Sequence, residues 1–497
     1  MPTREELYKE NQELKERLAY TESVLNLLLE TTASQRDSIK QLTATVEKLT
    51  QTIDELKEKL GKNSQNSSKP PSSDGFKKPK SKSLRKRSGK KPGGQEGHEG
   101  ANLAVTEEPD RTEHCLPSRC LTCPHRDQCA AEQKVIETRY KKDIVIKTET
   151  TAYERILIDD CPCSDDVLIG DFPEDIKAPV QYGKNIQALA VSLSTIGAVS
   201  LNRVHEILSG VFGIPISPGT IGTMVSRVSA AAAIPLVFIK QALIDSALVH
   251  FDETGTRVDG KLWWVHTSCN ELFTYLTINR KRGAEGTIAN GVFPRMKGIA
   301  AHDCWKPYWR IRDDIMHAIC NAHILRELNG LIDNHPQQTW ASKFQKLLLR
   351  MKKVKERAIA RGKDKLSYYH LHKFDQEYDE LIEIAYSENP EPENPPGKKG
   401  RKKRGKVLAL IDRLRDYKEA VCLFIKDFMV PFDNNEAERA IRNVKTKTKV
   451  SGCFRTEDGA EDYLNIMSIV GTAKKHGHSG FDAIMYLIND TPELIYS

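Results

Sequence analysis

The sequence lacks any run of about 18 apolar residues, the length that a membrane-spanning helix needs. The first residues, Met1 to Glu6, also lack a hydrophobic signal region. Both absences argue against a membrane protein and against secretion, so we expect a cytoplasmic protein without membrane contact. The sequence also has little excess charge of either sign, because 75 Lys+Arg against 68 Asp+Glu leave a net charge of only +7. The distribution of that charge is more informative, since many basic residues fall in two short runs.

The length of 497 residues predicts about three or four folding units rather than one. Disulfides are disfavoured in a reducing compartment, so the eleven cysteines do not indicate a disulfide framework. Six of them fall between Cys115 and Cys163. Metal binding is the leading interpretation of this group.

Residues 1–62 predict a long helix, because neither Pro nor Gly occurs between Pro2 and Gly61. From Leu7 to Leu60 the mainly apolar positions alternate in steps of three and four, which is a heptad pattern with Asn11 as a polar register-setter. We interpret this helix as a coiled coil that makes the protein a homo-oligomer. The alternative is a helix that packs on its own chain.

Residues 63–105 have the polar, Pro- and Lys-rich composition of a disordered linker. Its basic run predicts phosphate contacts with DNA, although such a run is as often only a solvated segment. The residues assigned to DNA here are Lys77, Lys78, Arg85, Lys86 and Arg87.

Residues 106–170 contain two close cysteine pairs, Cys120 with Cys123 and Cys161 with Cys163. Thiolates at such spacing can complete a tetrahedral structural zinc site. Competing ligands are present in the same segment, namely Cys115, His125 and Cys129.

Residues 171–242 show helical periodicity, with Ser217 as a predicted N-cap and Pro218 at the first helical position. Two helices around a break resemble a DNA-binding helix-turn-helix. Ordinary helical packing is an equally good interpretation.

Residues 243–318 change to strand periodicity. We predict strands at 247–252, 262–268 and 272–278, a helix near 283–293 and a fourth strand at 298–303. Three strands in hairpin order, a helix and another strand ending on an acid form the opening of an RNase H-like core. Residues 319–424 then read as a helical insertion, and residues 425–497 as the closing helices of that core.

Asp252 and Asp303 are predicted at the ends of adjacent strands, where carboxylates can hold two hard cations for phosphoryl transfer. The third acid should come from the closing helix. We favour Glu438, because Asp433 and Glu436 have the spacing of a capping box. Glu436 remains the alternative. The pair Cys320 and His323 is predicted to be part of the core, and Trp305 is a candidate for stacking on DNA.

Four segments now carry a resemblance: His250-Phe-Asp-Glu-Thr, Ala301-His-Asp-Cys-Trp, the segment from His317 to Leu328, and Val430-Pro-Phe-Asp-Asn-Asn-Glu-Ala-Glu-Arg. With the linker segment from Asn66 to Asp74, they resemble the transposases of the insertion sequence sixty-six family. The resemblance implies a multidomain α/β DDE recombinase that uses Mg²⁺ (or Mn²⁺), cuts and joins the ends of a mobile element, and works with companion proteins of that element. It also points to Cys120, Cys123, Cys161 and Cys163 as the Zn²⁺ ligands.

DNA, as terminal inverted repeats and target, is therefore the expected partner. Further predicted contacts are Arg439, Arg442 and Lys445 after the third acid, and Arg401, Lys402, Lys403 and Arg404 in the insertion. Two alternatives remain: a catalytically inactive DNA-binding or assembly protein, and a structure-specific nuclease on the same fold.

Overall fold

The computed structural model describes residues 1–61, 110–124, 126–131, 134–141, 147–159, 163, 167–391 and 404–496. The first basic run, Cys161, His125 and residues 401–403 lie outside these ranges. The predictions made for them are therefore not addressed by the structure.

The N-terminal segment is one continuous helix, α1 (Arg4–Gly61). The predicted heptad positions lie on its surface, with Leu14 56% and Leu42 65% exposed. The predicted helix is thus confirmed, and its apolar seam is exposed along its length.

The segment with the clustered cysteines contains little regular structure. A single-turn helix, α2 (Ser118–Leu121), precedes a two-stranded antiparallel sheet of β1 (Leu157–Ile158) and β2 (Leu168–Ile169). Cys120 and Cys163 are exposed and Cys123 is half-buried.

Four helices follow: α3 (Lys184–Ser194), α4 (Leu201–Phe212), α5 (Pro218–Ala231) and α6 (Ala233–Ile244). Gly213 ends α4 with φ of +65°, a conformation that glycine adopts without strain. Ser217 caps α5 as predicted, accepting a hydrogen bond from the Thr220 amide at 3.0 Å. These helices share one apolar core with the sheet and with the C-terminal helices.

The main sheet has the order β5-β4-β3-β6-β7. Strands β3, β4 and β5 are antiparallel, whereas β6 and β7 run parallel to β3. The strands and the helices between them are β3 (Leu248–Val258), β4 (Lys261–Cys269), β5 (Thr274–Asn279), α7 (Ala284–Asn290), β6 (Ile299–His302), α8 (Lys306–Ile311) and β7 (His317–Ile319).

Two features of this sheet differ from the prediction. Strand β3 does not end at Asp252, because residues 253–258 continue the pairing with β4 up to the turn at Asp259 and Gly260. Both turn residues have positive φ, +50° and +70°, as a two-residue hairpin loop requires. Strand β7 was not predicted, since its three residues are too few to show a period.

The described residues of the predicted insertion form five helices: α9 (Asn321–Asn334), α10 (Trp340–Ile359), α11 (Tyr368–Glu388), α12 (Gly405–Asp416) and α13 (Lys418–Lys426). They form a second apolar core against β6 and β7. The chain then returns to the sheet through α14 (Asn435–Ser451), α15 (Glu457–Lys475) and α16 (Gly480–Ile488). Within the described ranges, no single helix has both the length and the apolar character to cross a membrane; α5 and α6 meet that test only as a bent pair, by length and composition alone.

Candidate active site

Asp252 lies on β3, and Asp303 directly follows the neighbouring parallel strand β6. The last register pair of the two strands is His250 with Ala301, so the chain continues from there to Asp252 on one strand and to Asp303 just beyond the other, near enough for the charge of Asp303 to act on Asp252. Burial and then the charge of Asp303 raise the pKa of Asp252 to about 7. Burial also raises the pKa of Asp303, while the charge of Arg282 acts in the opposite direction. The repulsion between these carboxylates would be relieved by a bound cation.

The chain turns sharply after Asp303 because Cys304 adopts a φ of +67°. This turn lets Asp303 Oδ1 accept a hydrogen bond from the Trp305 amide at 3.2 Å. The Cys304 amide donates to His302 Nδ1 at 3.1 Å. Because Nδ1 accepts this hydrogen bond, the ring proton of His302 is on Nε2, which donates to His317 Nδ1 at 2.8 Å. The buried histidine pair thus ties the end of β6 to β7 and holds the backbone that presents Asp303.

The start of α14 is fastened to β3 by Asn434. Its side chain donates to the Phe251 carbonyl at 2.7 Å and accepts from His250 Nδ1 at 2.7 Å. The predicted capping box is wrong: Asn434 occupies the N-cap and gives no capping hydrogen bond, because its amide is used by β3. Asp433 instead accepts from the Asn435 amide at 3.3 Å, and Glu436 pairs with Arg439.

Glu438 lies in the first turn of α14 and is half-buried. It accepts a hydrogen bond from Arg326 Nη2 of α9 at 3.2 Å. Its negative charge is among the causes that raise the pKa of Asp252, whereas the charge of Lys445 acts to lower it. The structure therefore brings α14 close to the acid pair, with Glu438 near enough to act on Asp252.

Glu438 also lies beside the Cys320 and His323 pair. The Cys320 Sγ, a His323 ring nitrogen and a Glu438 carboxylate oxygen are all within 4.8 Å of one another, and within the described chain this is the group of three that could hold a metal ion. Burial, and then the charges of Arg326 and Arg413, lower the pKa of His323 to about 4, so its ring is neutral. The sequence placed this pair in the core and gave no sign of its contact with Glu438.

Three residues beside the acids were missed from the sequence: Glu253, Tyr308 and Arg282. The Glu253 side chain is almost fully buried, accepts a hydrogen bond from the Tyr308 hydroxyl and faces Arg282 at 3.6 Å. Burial and then the charge of Asp303 raise its pKa to about 8. Strand alternation is the one sequence signal for Glu253. Successive side chains of a strand point to opposite faces, so Glu253 is an acid on the face of β3 opposite to Asp252.

The predicted DNA contacts fall into different environments. Arg439, Arg442 and Lys445 are exposed and follow one another at three-residue steps along α14. Arg404 is engaged in ion pairs with Asp412 at 2.6 Å and Glu391 at 2.5 Å.

Lys447 lies two residues after Lys445 on α14, but its side chain is in a different environment. It donates to the carbonyls of Ser194 at 2.8 Å and Val199 at 3.3 Å. Burial lowers its pKa to about 8. Lys447 therefore joins α14 to the segment after α3 and is not free for phosphate.

A half-buried acid pair on a mixed sheet, with basic residues on the adjoining helix, is an arrangement suited to an enzyme that processes nucleic acids. Comparison with known families supports that class: residues 179–462 match the family described as Transposase IS66 family. This match covers more than half of the chain, so the chain belongs to the IS66 family of transposases. Residues 2–104 match a family of unknown function (DUF6444). No curated protein matches the chain.

Proposed function

We propose that this chain is an active DDE transposase, which cuts the ends of an insertion sequence and joins them to target DNA. The observation that carries the proposal is the position of two half-buried carboxylates, Asp252 on β3 and Asp303 directly after the neighbouring strand β6, with the pKa of both raised above the ordinary value, first by burial. Neighbouring carboxylates with strongly perturbed pKa values are typical of sites tuned for chemistry.

The sheet supports an RNase H-like core for this activity. Three antiparallel strands, the helix α7 and the parallel strand β6 agree with the arrangement expected from the sequence, and β7 adds a second parallel strand beside β6. The five insertion helices fall between the second and third acids, as the resemblance implies for this family.

Asp252, Asp303 and Glu438 are the residues that would hold two Mg²⁺ or Mn²⁺ ions. Carboxylate oxygens are the ligands that such hard cations prefer, and the donor set fits them. The bound pair would activate the attacking oxygen and neutralise the leaving one during displacement at phosphorus. Glu438 is favoured over Glu436 as third ligand because Glu438 acts on the pKa of Asp252, whereas Glu436 pairs with Arg439 and lies 3.9 Å from Lys475.

The exposed cations Arg439, Arg442 and Lys445 would bind the DNA backbone next to these acids. Each neutralised phosphate adds salt-dependent affinity without sequence preference. Self-association through α1 would join two or more active sites on one DNA complex, since its apolar seam is exposed in the single chain. A cytoplasmic location and companion proteins of the same element belong to this proposal.

The zinc site belongs to the same proposal, with Cys120, Cys123, Cys161 and Cys163 as ligands. We expect about one zinc per chain from this four-ligand module. Elemental analysis should show its loss in Cys120→Ser and in Cys161→Ser. Zinc retained by both variants would move the site to Cys115 and Cys129, and Cys320→Ser tests the cluster beside Glu438.

Two other functions make different predictions. An inactive assembly protein would bind DNA but would not bind Mg²⁺ or Mn²⁺ through the acid pair. A nuclease on the same fold would cut terminal DNA without joining the ends to target.

The deciding experiment incubates the full chain with terminal DNA, target DNA and Mg²⁺, and measures nicked and joined products separately. We expect both products from the native chain and neither from Asp252→Asn or Asp303→Asn. Asp433→Asn is the matched control, because it removes an acid next to α14 to which the proposal gives no metal. Full joining by either active-site variant would contradict the proposal, and cutting without joining would favour the nuclease.

A further inference from the structure

Arg282 rests on two indole rings at the edge of the sheet that carries the acids. Its guanidinium carbon lies 5.0 Å from the ring centroid of Trp264 and 4.3 Å from that of Trp305. Trp264 belongs to β4, and Trp305 follows Asp303 by two residues. A guanidinium held on aromatic faces is fixed in orientation while its edge remains able to donate hydrogen bonds.

The donors of Arg282 are under-used. Its contact with Glu253 is 3.6 Å, which is longer than a hydrogen bond. Its Nε is buried and has no hydrogen-bond partner in the described part of the chain, and neither has Glu253 Oε2. Its side chain nevertheless keeps 38% of its surface exposed, whereas that of Glu253 keeps 1%. A positioned cation with unfilled donors and an open side is suited to an incoming acceptor of negative charge.

The position of Arg282 relative to the acids indicates which anion would enter. Its charge counteracts the raised pKa of Asp303, so the guanidinium lies within electrostatic reach of the acid pair. In a DNA-processing site the available anion is a backbone phosphate, whose oxygens a planar guanidinium can bind in pairs.

We propose that Arg282, held by Trp264, Trp305 and Glu253, forms a phosphate-binding subsite that positions one DNA backbone phosphate beside the Asp252 and Asp303 pair. This subsite rests on the proposed transposase activity and adds to it a residue that touches the substrate. Tyr308 and Glu253 are positioning residues, because they fix the arginine from the buried side.

The test compares Arg282→Ala and Arg282→Lys with Arg280→Ala. Arg280 is the matched control: it is exposed, stacks on Trp263 at 4.9 Å and comes from the same segment after β5. Unlike Arg282, it is not among the causes of the pKa shifts of Asp303 and Glu253. The lysine variant keeps the charge and removes the planar fork.

The first measurement is binding of terminal DNA at several salt concentrations, in the inactive Asp252→Asn background. We expect Arg282→Ala to reduce the slope of log affinity against log salt by about 0.9, the value for one lost phosphate contact. The second is the single-turnover joining rate at saturating DNA in the otherwise native chain, where we expect a fall on the order of 100-fold. Arg282→Lys should retain the salt slope but lose most of the rate, and Arg280→Ala should change neither.

Equal behaviour of Arg282→Ala and Arg280→Ala in both measurements would overturn the subsite. If Arg282→Ala fails to fold, the lysine variant decides, and a native joining rate in that variant rejects the subsite. If the native chain does not join DNA but Arg282→Ala still changes the salt slope, the proposed activity fails while phosphate binding stands. If joining depends on Asp252 but not on Arg282, only the subsite fails.

Discussion

Replacing Asp252 by asparagine should stabilise the metal-free protein while abolishing its activity. The carboxylate is half-buried near Asp303, and its pKa of about 7 compares with an ordinary value of 3.8. Asparagine has the same shape and keeps the Oδ1 that accepts the Glu253 amide at 2.9 Å. The variant therefore removes the cost of burying a charged carboxylate and its repulsion by Asp303, and it opens no cavity.

The sign follows from proton binding. Because the pKa is raised on folding, the folded protein binds a proton that the unfolded chain has already released above pH 3.8. Folding stability due to this group is thus lost as pH rises toward about pH 7, and the loss is constant above it. The full shift corresponds to on the order of 4 kcal/mol, and we expect about 2–4 kcal/mol because the neighbouring acids share the repulsion.

The assay is denaturant unfolding of both proteins in EDTA between pH 4 and pH 8, followed by the fluorescence of the tryptophans at the sheet. The advantage of Asp252→Asn should be near zero at pH 4 and largest at pH 8. Addition of Mg²⁺ at pH 8 should stabilise the native chain more than the variant. A variant that is less stable at pH 8 without divalent cations, or a difference that is independent of pH, would refute the reasoning.

Three further variants test how the site is held. Asn434→Ala should lower the joining rate more than DNA affinity, because α14 loses its attachment to β3, and a parallel loss of both would contradict this. Gly298→Ala should destabilise the fold by a few kcal/mol in thermal unfolding, since its Cβ would lie 2.2 Å from the Ser246 carbonyl oxygen; an unchanged melting temperature would be the opposing result. Lys447→Met should leave the salt dependence of DNA binding unchanged, because the amine is bound to the Val199 carbonyl, and a reduced slope would show that Lys447 contacts a phosphate instead.

The sequence predicted the sheet well because its signals are local. Strand alternation, the Asp259-Gly260 turn and the cap at Ser217 each depend on a few neighbouring residues, and all three are found in the structure. The strands that precede the two aspartates are parallel neighbours, as the predicted strand order required, whereas the role of the aspartates as a metal site stays a prediction. The sequence prediction ended β3 too early, at Asp252, whereas the strand continues to Val258. An acidic residue within a strand resembles the polar end of a strand when the paired strand is not known.

The surroundings of the acids could not be predicted, because they are built by contacts between distant residues. Glu438 meets Arg326 across 112 positions of sequence, and Asn434 meets His250 across 184. Local spacing suggested only a capping box in front of the third acid. In the structure the insertion packs against β6 and β7 and brings Arg326 to Glu438. This packing cannot be predicted from the periodicity of the sequence.

The most direct test of the account is to locate Mn²⁺ by anomalous diffraction in crystals of the full chain with terminal DNA. The account predicts two peaks, both within ligand distance of the Asp252 and Asp303 carboxylates and at least one bound by Glu438. Absence of metal between the two aspartates in DNA-bound crystals, with Mn²⁺ located elsewhere on the chain, would contradict it.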